Sequence, residues 1–147
     1  MKIHQLSLFL ENKPGRLIEP CRLLSGAGIN IRTLSVADTQ QFGILRMIVS
    51  DWQKAAAVLQ EAGCVFKVTE VLAVEVPDRP GGLAGVLELF ENSGVNIEYM
   101  YAFTFGRQDK AVLIFRFDQP DEAIRKLQGA GINVLDSVDV YSGGTLG

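Results

Sequence analysis

One histidine, one tryptophan and two cysteines among 147 residues leave this chain short of the groups from which catalytic and metal centres are built. His4 has no Cys, Ser or Asp partner at a recognisable spacing and reads as an ordinary terminal residue. Cys21 and Cys64 have neither metal-type spacing nor the number expected of a disulfide-stapled domain, so they read as reduced, small apolar fillers. A basic excess is also missing. Fourteen Lys and Arg against seventeen Asp and Glu give a net charge of −3, which argues against nonspecific binding to nucleic acid or an anionic membrane. No apolar run approaches the ~20 residues of a membrane-crossing helix. Met1-Lys2-Ile3-His4-Gln5 turns polar too early for a secretory signal. The expectation is a cytoplasmic protein with no cofactor, no nucleic-acid partner and no membrane partner.

The chain does contain a repeat. Asn12-Lys13-Pro14-Gly15-Arg16-Leu17 leads through a helical stretch to Gly28-Ile29-Asn30-Ile31. Asp78-Arg79-Pro80-Gly81-Gly82-Leu83 leads in the same way to Gly94-Val95-Asn96-Ile97. Six identities fall at a constant offset of 66 positions, among them Pro14/Pro80, Gly15/Gly81 and Asn30/Asn96. A repeat of this period means two copies of one supersecondary unit, here residues 1–68 and 69–147. Each copy is near the lower limit for an independent core. No polar or glycine-rich linker separates them.

Each copy reads strand, helix, strand, strand, helix, strand. In the first, Leu6, Leu8 and Leu10 share one strand parity over Ile3 to Leu10, and Leu17, Cys21, Leu24 and Ala27 share a helix face. Strands follow at 29–37 and 43–49, then a helix capped by Asp51 with Trp52, Ala55, Leu59 and Ala62 on one face. The second copy gives strands at 71–76, 95–105, 111–117 and 134–141, and helices carrying Leu83, Leu87 and Phe90, then Ala123, Ile124 and Leu127. Two right-handed crossovers with a hairpin strand between them make a ferredoxin-like βαββαβ unit, an α+β fold with an antiparallel sheet and helices on one face. The other face is not visibly polar. Residues 43–49 and 111–117 are apolar on both parities, and Tyr99, Tyr101, Phe103 and Phe105 form an alternating row. The sequence therefore predicts that another sheet covers this face, in the same chain or in a homodimer. Hydrophobic residues at 48% of the chain agree with such burial.

The repeated residues are turn residues, so they point to a site. Pro14 and Pro80 suit a first helical position, and Gly15 and Gly81 admit close approach to the backbone. Free N–H groups at a helix start attract a carboxylate. Asn12 and Asp78 can accept from an ammonium, and the amides of Asn30 and Asn96 both donate and accept. Such a set matches an α-amino acid. Asn30 and Asn96 also suit the plain role of turn residues after a helix cap. Gly81-Gly82 lacks the Lys and Ser/Thr of a phosphate loop and reads as a tight turn. Arg46 and Arg116, inside apolar strands, read as ligands for a carboxylate or as interface salt bridges. Asp118, Asp121 and Glu122 read as helix N-terminal charges rather than a metal site.

Glu11-Asn12-Lys13-Pro14-Gly15-Arg16-Leu17 with Gly28-Ile29-Asn30-Ile31 and Leu34-Ser35-Val36 resembles the ACT domain. It is especially similar to the ACT domains of the acetolactate synthase regulatory subunit and of phosphoglycerate dehydrogenase. The second repeat matches the same pattern, with Asp78 where the family has Asn, and Leu10 stands where some members carry a histidine. The resemblance covers nearly the whole chain and implies two tandem ACT domains that bind a small amino-acid effector without catalysis. It also implies that the site lies between two domains. The loop residues Leu10, Asn12, Lys13, Gly15, Arg16 and Leu17 would face Asn96 and Ile97, or Asn30 and Ile31 of another chain. Asp78, Gly81, Gly82 and Leu83 would form the pseudo-equivalent site, weakened by the negative charge of Asp78. The expected partners are an amino-acid effector, a second copy in a homodimer, and a metabolic enzyme. The alternative reading is a structural subunit that docks on such an enzyme through its apolar sheet face.

Overall fold

The computed structural model describes residues 1–38, 40–104, 106 and 108–142. The chain divides into two compact units. One is His4–Thr69; the other runs from Glu70 onward and includes Met1–Ile3.

The first unit is built from β1 (Ile3–Glu11), α1 (Ile18–Gly26), β2 (Ile31–Asp38), β3 (Phe42–Val49), α2 (Trp52–Glu61) and the start of β4 (Phe66–Pro77). β3 pairs antiparallel with both β1 and β2, and the Phe9 N–H donates to the Val65 carbonyl at 2.9 Å on the far side of β1. Leu6 and Leu8 of β1 and Leu45, Met47 and Val49 of β3 face the helices, where they pack with Leu24 of α1 and Ala55 and Leu59 of α2. Asp51 caps α2 as its sequence predicts, its carboxylate accepting the Lys54 N–H at 3.1 Å. The other sheet face is polar along its middle, unlike the sequence reading. Ser7 and Ser35 lie on either side of Arg46, and buried Gln5 donates to Ser7 at 3.1 Å. At the start of β1, His4 stacks on Trp52 with ring centroids 4.3 Å apart.

The second unit repeats the plan with the rest of β4, then α3 (Gly82–Glu88), β5 (Ile97–Ala102), β6 (Lys110–Phe117) and α4 (Pro120–Gly129). β6 pairs antiparallel with β4 and β5. Leu72, Val74, Val76, Phe115 and Phe117 face Val86, Ala123 and Leu127. Phe90 and Phe117 add an aromatic contact at 4.8 Å. Tyr99 and Tyr101 lie on the opposite face, across from Arg116 and Ile114. Phe103 is buried, and Phe105 lies outside the described residues. Arg116 is held inside its own unit, donating to the Glu70 carbonyl at 2.8 Å and lying 3.6 Å from the Glu98 carboxylate.

Helix ends close alike after α1, α2 and α4, but after α3 the Val95 N–H donates to the Ser93 hydroxyl at 3.0 Å instead. Past α1 the Gly28 and Ile29 N–H groups donate to the Ser25 and Leu24 carbonyls at 3.0 and 2.9 Å, a Schellman closure that needs the left-handed φ of +73° at Gly28. The same long bond runs from Cys64 to Leu59 and from Ile132 to Leu127.

Three sequence expectations need correction. The last strand, expected over 134–141, is one bridge between Val134 and Val74, flanked by bonds from Leu135 to Ala73 and from Glu75 to Asn133. A short helix, α5 (Ser137–Ser142), follows instead. The Asp136 carboxylate accepts the Val138 N–H at 3.3 Å at the start of that helix, a local bond that competes with extension. Second, Leu17 is not on the inner face of α1. It precedes the helix and is 52% exposed, while Pro20 and Leu24 are buried.

Third, Pro14 and Pro80 do not occupy first helical positions. Gly15 and Gly81 have φ of +84° and +83°, which no right-handed helix contains. The Arg16 N–H returns to the Lys13 carbonyl at 3.3 Å and the Gly82 N–H to the Arg79 carbonyl at 2.9 Å. Each Pro-Gly pair is thus the centre of a type II turn, with proline at its second position and glycine at its third.

Two stability outcomes follow from these contacts. A Cβ at Gly82 would lie 2.0 Å from the Pro77 carbonyl oxygen, so Gly82→Ala should cost about 2–3 kcal/mol in urea unfolding. Asp51→Ala should cost about 1 kcal/mol by the same measurement, through the lost cap.

Candidate functional site

Strand register determines what surrounds the first loop. Leu10 is paired with Gly43, and Leu45 with both Leu8 and Val36. Leu10, Val36, Gly43 and Leu45 share the face that carries the helices, but α1 begins only at Ile18 and leaves this end of the sheet uncovered. The loop that fills the gap carries Asn12 and Lys13 and is tied to the hairpin by a bond from the Asn12 N–H to the Gln41 carbonyl at 2.9 Å. Between loop and sheet is a cavity of about 70 Å³ lined by Leu10, Asn12, Lys13, Leu17, Val36, Asp38, Gly43 and Leu45, together with Glu11. Its lining is mixed: Leu10, Leu17, Val36 and Leu45 are apolar, while Asp38, paired with Gly43, shares their face of the sheet. The Lys13 ammonium lies 2.8 Å from Glu11 and holds that carboxyl below the usual carboxylate range. The Asn12 amide has no hydrogen-bond partner among the described residues.

Four of the fourteen residues chosen from the sequence meet here: Leu10, Asn12, Lys13 and Leu17. Gly15 forms the type II turn beside them. Arg16 spends its N–H in that turn and pairs with Glu19 at 2.8 Å, lining a separate open depression with Phe9, Cys64 and Val65. In that depression, burial and the Glu19 charge push the Cys64 thiol up, against a nucleophilic role.

Asn30 and Ile31 are at the other end of the sheet. Ile31 pairs with Val49 and Asp38 with Gly43, so the length of β2, about 23 Å at ~3.3 Å per residue, separates Asn30 from the Asn12 loop. The Asn30 N–H donates to the Ser50 hydroxyl at 3.0 Å, and its carbonyl accepts the Ser50 N–H at 2.8 Å. Its side-chain amide makes no bond among the described residues. Within one unit Asn12 and Asn30 therefore cannot hold the same small molecule.

The second unit places its counterparts alike. The Asp78 N–H donates to the Asp109 carbonyl at 2.9 Å, as Asn12 does to Gln41. Asn96 exchanges bonds with Asp118, its N–H donating to the carboxylate at 2.8 Å, as Asn30 does with Ser50. Ile97 and Leu83 pack against the core of this unit. Leu83 is half-buried where Leu17 is exposed, and Ala111 faces Val76 where Gly43 faces Leu10. Gly81 and Gly82 line an open depression with Pro77, Arg79, Pro80, Gly85, Val86 and Ile132. This depression matches the one at Arg16, not the cavity at Asn12.

Val36, Gly43 and Leu45 escaped the sequence reading, and Asp38 was read only as a turn residue. The signal that finds them is strand register, of β1 on β3 for Gly43 and Leu45 and of β2 on β3 for Val36 and Asp38. The acidic residues near α4 are each engaged: Asp121 with Lys2 at 2.9 Å, Glu122 with Arg125, and Asp118 with Asn96. No group of three His, Cys, Asp or Glu suited to a metal ion occurs among the described residues, and no described helix is long and apolar enough to cross a membrane.

The ACT domain pair family matches residues 1–140. Among solved structures, protein BT0572 from Bacteroides thetaiotaomicron is 39% identical over 96% of each chain, with a TM-score of 0.89. The ligand-free regulatory subunit of aspartate kinase from Thermus thermophilus is 16% identical over 86% of this chain and 91% of its own, with a TM-score of 0.61. Its Thermus flavus counterpart is 17% identical over 89% and 94%, with a TM-score of 0.62. The latter two share the fold. Comparison with curated proteins gives no match. With two ferredoxin-like units, a doubled loop and a family match across nearly its whole length, the chain belongs to the ACT domain pair family.

Proposed function

We propose that this protein is a non-catalytic, cytoplasmic regulatory sensor that binds a small amino acid at the Asn12 loop. The observation that carries the reading is the cavity under that loop, lined by apolar side chains and by Asn12, whose amide has no bond among the described residues. The amide donates to a carboxylate or accepts from an ammonium. Membership of the ACT domain pair family supports a regulatory role, as does the fold shared with aspartate kinase regulatory subunits.

A second domain completes the site in this reading. Asn30 or Asn96 of a neighbouring ACT domain supplies a second amide, because the Asn30 of the same unit is a sheet length away. A homodimer is the simplest assembly that brings such a group to the loop. Exposed Leu17, Leu34 and Val36, beside the cavity or on β2, favour a covered state for this edge. Ligand bridging two domains then shifts the assembly to the extent that it binds one arrangement better than another. The Asp78 loop is the weaker site, because its carboxylate repels an effector carboxylate.

The same exposed residues support a second reading, in which the protein docks on a metabolic enzyme as an interaction subunit. Amino-acid binding by the isolated homodimer argues against obligate docking.

Calorimetric titration of the protein with each of the twenty amino acids tests the sensor reading. At least one should bind, and Asn12→Ala should weaken it by about 1.5–3 kcal/mol, the worth of a hydrogen bond to a charged group. Asp78→Ala should change it far less. Absence of binding by all twenty would sink the proposal.

A further inference from the structure

We infer that the second unit carries a further binding site, on the sheet face away from its helices. Its ligand is a small dipolar molecule with an N–H donor group at one end and an anionic group at the other. The site shares no residue with the Asn12 cavity and does not depend on the sensor reading.

Strand register builds this site. Val74 and Val134 form a bridge and both face the helices. Their neighbours Glu75 and Asn133 therefore share the other face, joined by the Glu75 N–H donating to the Asn133 carbonyl at 3.1 Å. On the far side of β4, Glu75 pairs with Val112 and Pro77 with Lys110, which puts Lys110 on that face too. With Gln108 from the hairpin before β6, these residues line an open pocket of about 390 Å³. Glu75 is buried, at 8% exposure, while Gln108, Lys110 and Asn133 are exposed.

The first unit has the same backbone frame without these groups. Phe9 pairs with Ile44 and donates its N–H to the Val65 carbonyl, as Glu75 does with Val112 and Asn133. Phe42 pairs with Glu11 as Lys110 pairs with Pro77. Glu75, Lys110 and Asn133 thus stand where the first repeat has Phe9, Phe42 and Val65, all three exposed. The frame accepts apolar residues at these positions, so the fold does not require the polar set. A carboxylate withdrawn from water also costs stability unless it is compensated. Lys110 compensates only in part. Its ammonium is 3.7 Å from Glu75, longer than the about 2.7–2.9 Å of a charge-assisted hydrogen bond.

The lining restricts the ligand. None of the four residues is apolar, which disfavours an apolar molecule. A lone cation is repelled by Lys110, and a lone anion by Glu75. A molecule that carries both charges keeps the pocket neutral, with its N–H donors on the Glu75 carboxylate and its anion on the Lys110 ammonium. The side-chain amides of Gln108 and Asn133 make no hydrogen bond among the described residues, and each both donates and accepts.

Titration calorimetry tests this in the unaltered protein and in Asn12→Ala, which removes the loop amide. The titrants are glycine, β-alanine, γ-aminobutyrate, glycine betaine, methylammonium, acetate and glucose. In both proteins one of the first three should bind at least tenfold more tightly than any of the others, including glycine betaine, whose nitrogen bears no hydrogen. Glu75→Gln and Lys110→Met should each weaken that ligand tenfold or more. Glu75→Phe combined with Lys110→Phe and Asn133→Val, the set of the first repeat, should abolish binding and keep a cooperative thermal transition. Affinity that stays within twofold in Glu75→Gln would overturn the site. Equal or tighter binding of glycine betaine, methylammonium, acetate or glucose would overturn the dipolar class. Failure of all three dipolar amines to bind Asn12→Ala would overturn the inference and leave the sensor reading to its own titration.

Discussion

The antiparallel register of β1 on β3 places Leu10 opposite Gly43 and ends with Glu11 opposite Phe42. The rest of the candidate site depends on that alignment. It determines which side chains share the helix-bearing face, and where the chain must leave the sheet. A slip of one residue would turn Leu6, Leu8 and Leu10 outward and put Ser7 into the core, so the buried face holds the register firmly. The Pro-Gly turn then works within a narrow space. After that turn α1 starts only at Ile18, whereas α3 starts directly after the equivalent glycine, Gly81.

The two repeats share this frame but not its consequences. Both loops return to their hairpins by the same backbone bond, and both have a type II turn. At the position of Arg16 the second repeat has Gly82, packed so closely on Pro77 that no side chain fits. At the position of Gly43 it has Ala111, and its Leu83 turns toward the core where Leu17 stays exposed. Duplication conserves the hydrogen-bonded skeleton, because every element leans on it. The volume beneath the loop depends on single side chains and is free to diverge.

Element order, the ferredoxin-like unit and the location of the loops were legible because each has a local cause. Periodicity marks the strands, Asp51 its helix start, and Gly28 the helix end that repeats at Gly63 and Gly131. The doubled Pro-Gly was visible too, but its meaning was not. Proline alone suits a helix start, and only the positive φ of the following glycine makes the pair a turn. The strand expected from Val134 gives way to a helix at Ser137, where the Asp136 carboxylate bonds the Val138 N–H. Of the site, the loop residues were readable, whereas the wall formed by Val36, Gly43 and Leu45 was not.

By itself the sequence determined that one supersecondary plan occurs twice, where its loops are, and that a carboxylate replaces an amide between Asn12 and Asp78. Those features are local patterns, and a repeat makes them visible by comparison with itself. Only the tertiary structure decided that Asn12 and Asn30 are at opposite ends of a sheet, that Gly43 faces the loop, and that Val36 and Leu45 join it in lining the cavity there. The physical reason is pairing between segments some thirty residues apart. Hydrogen-bonded register carries that information, and no window of sequence contains both partners.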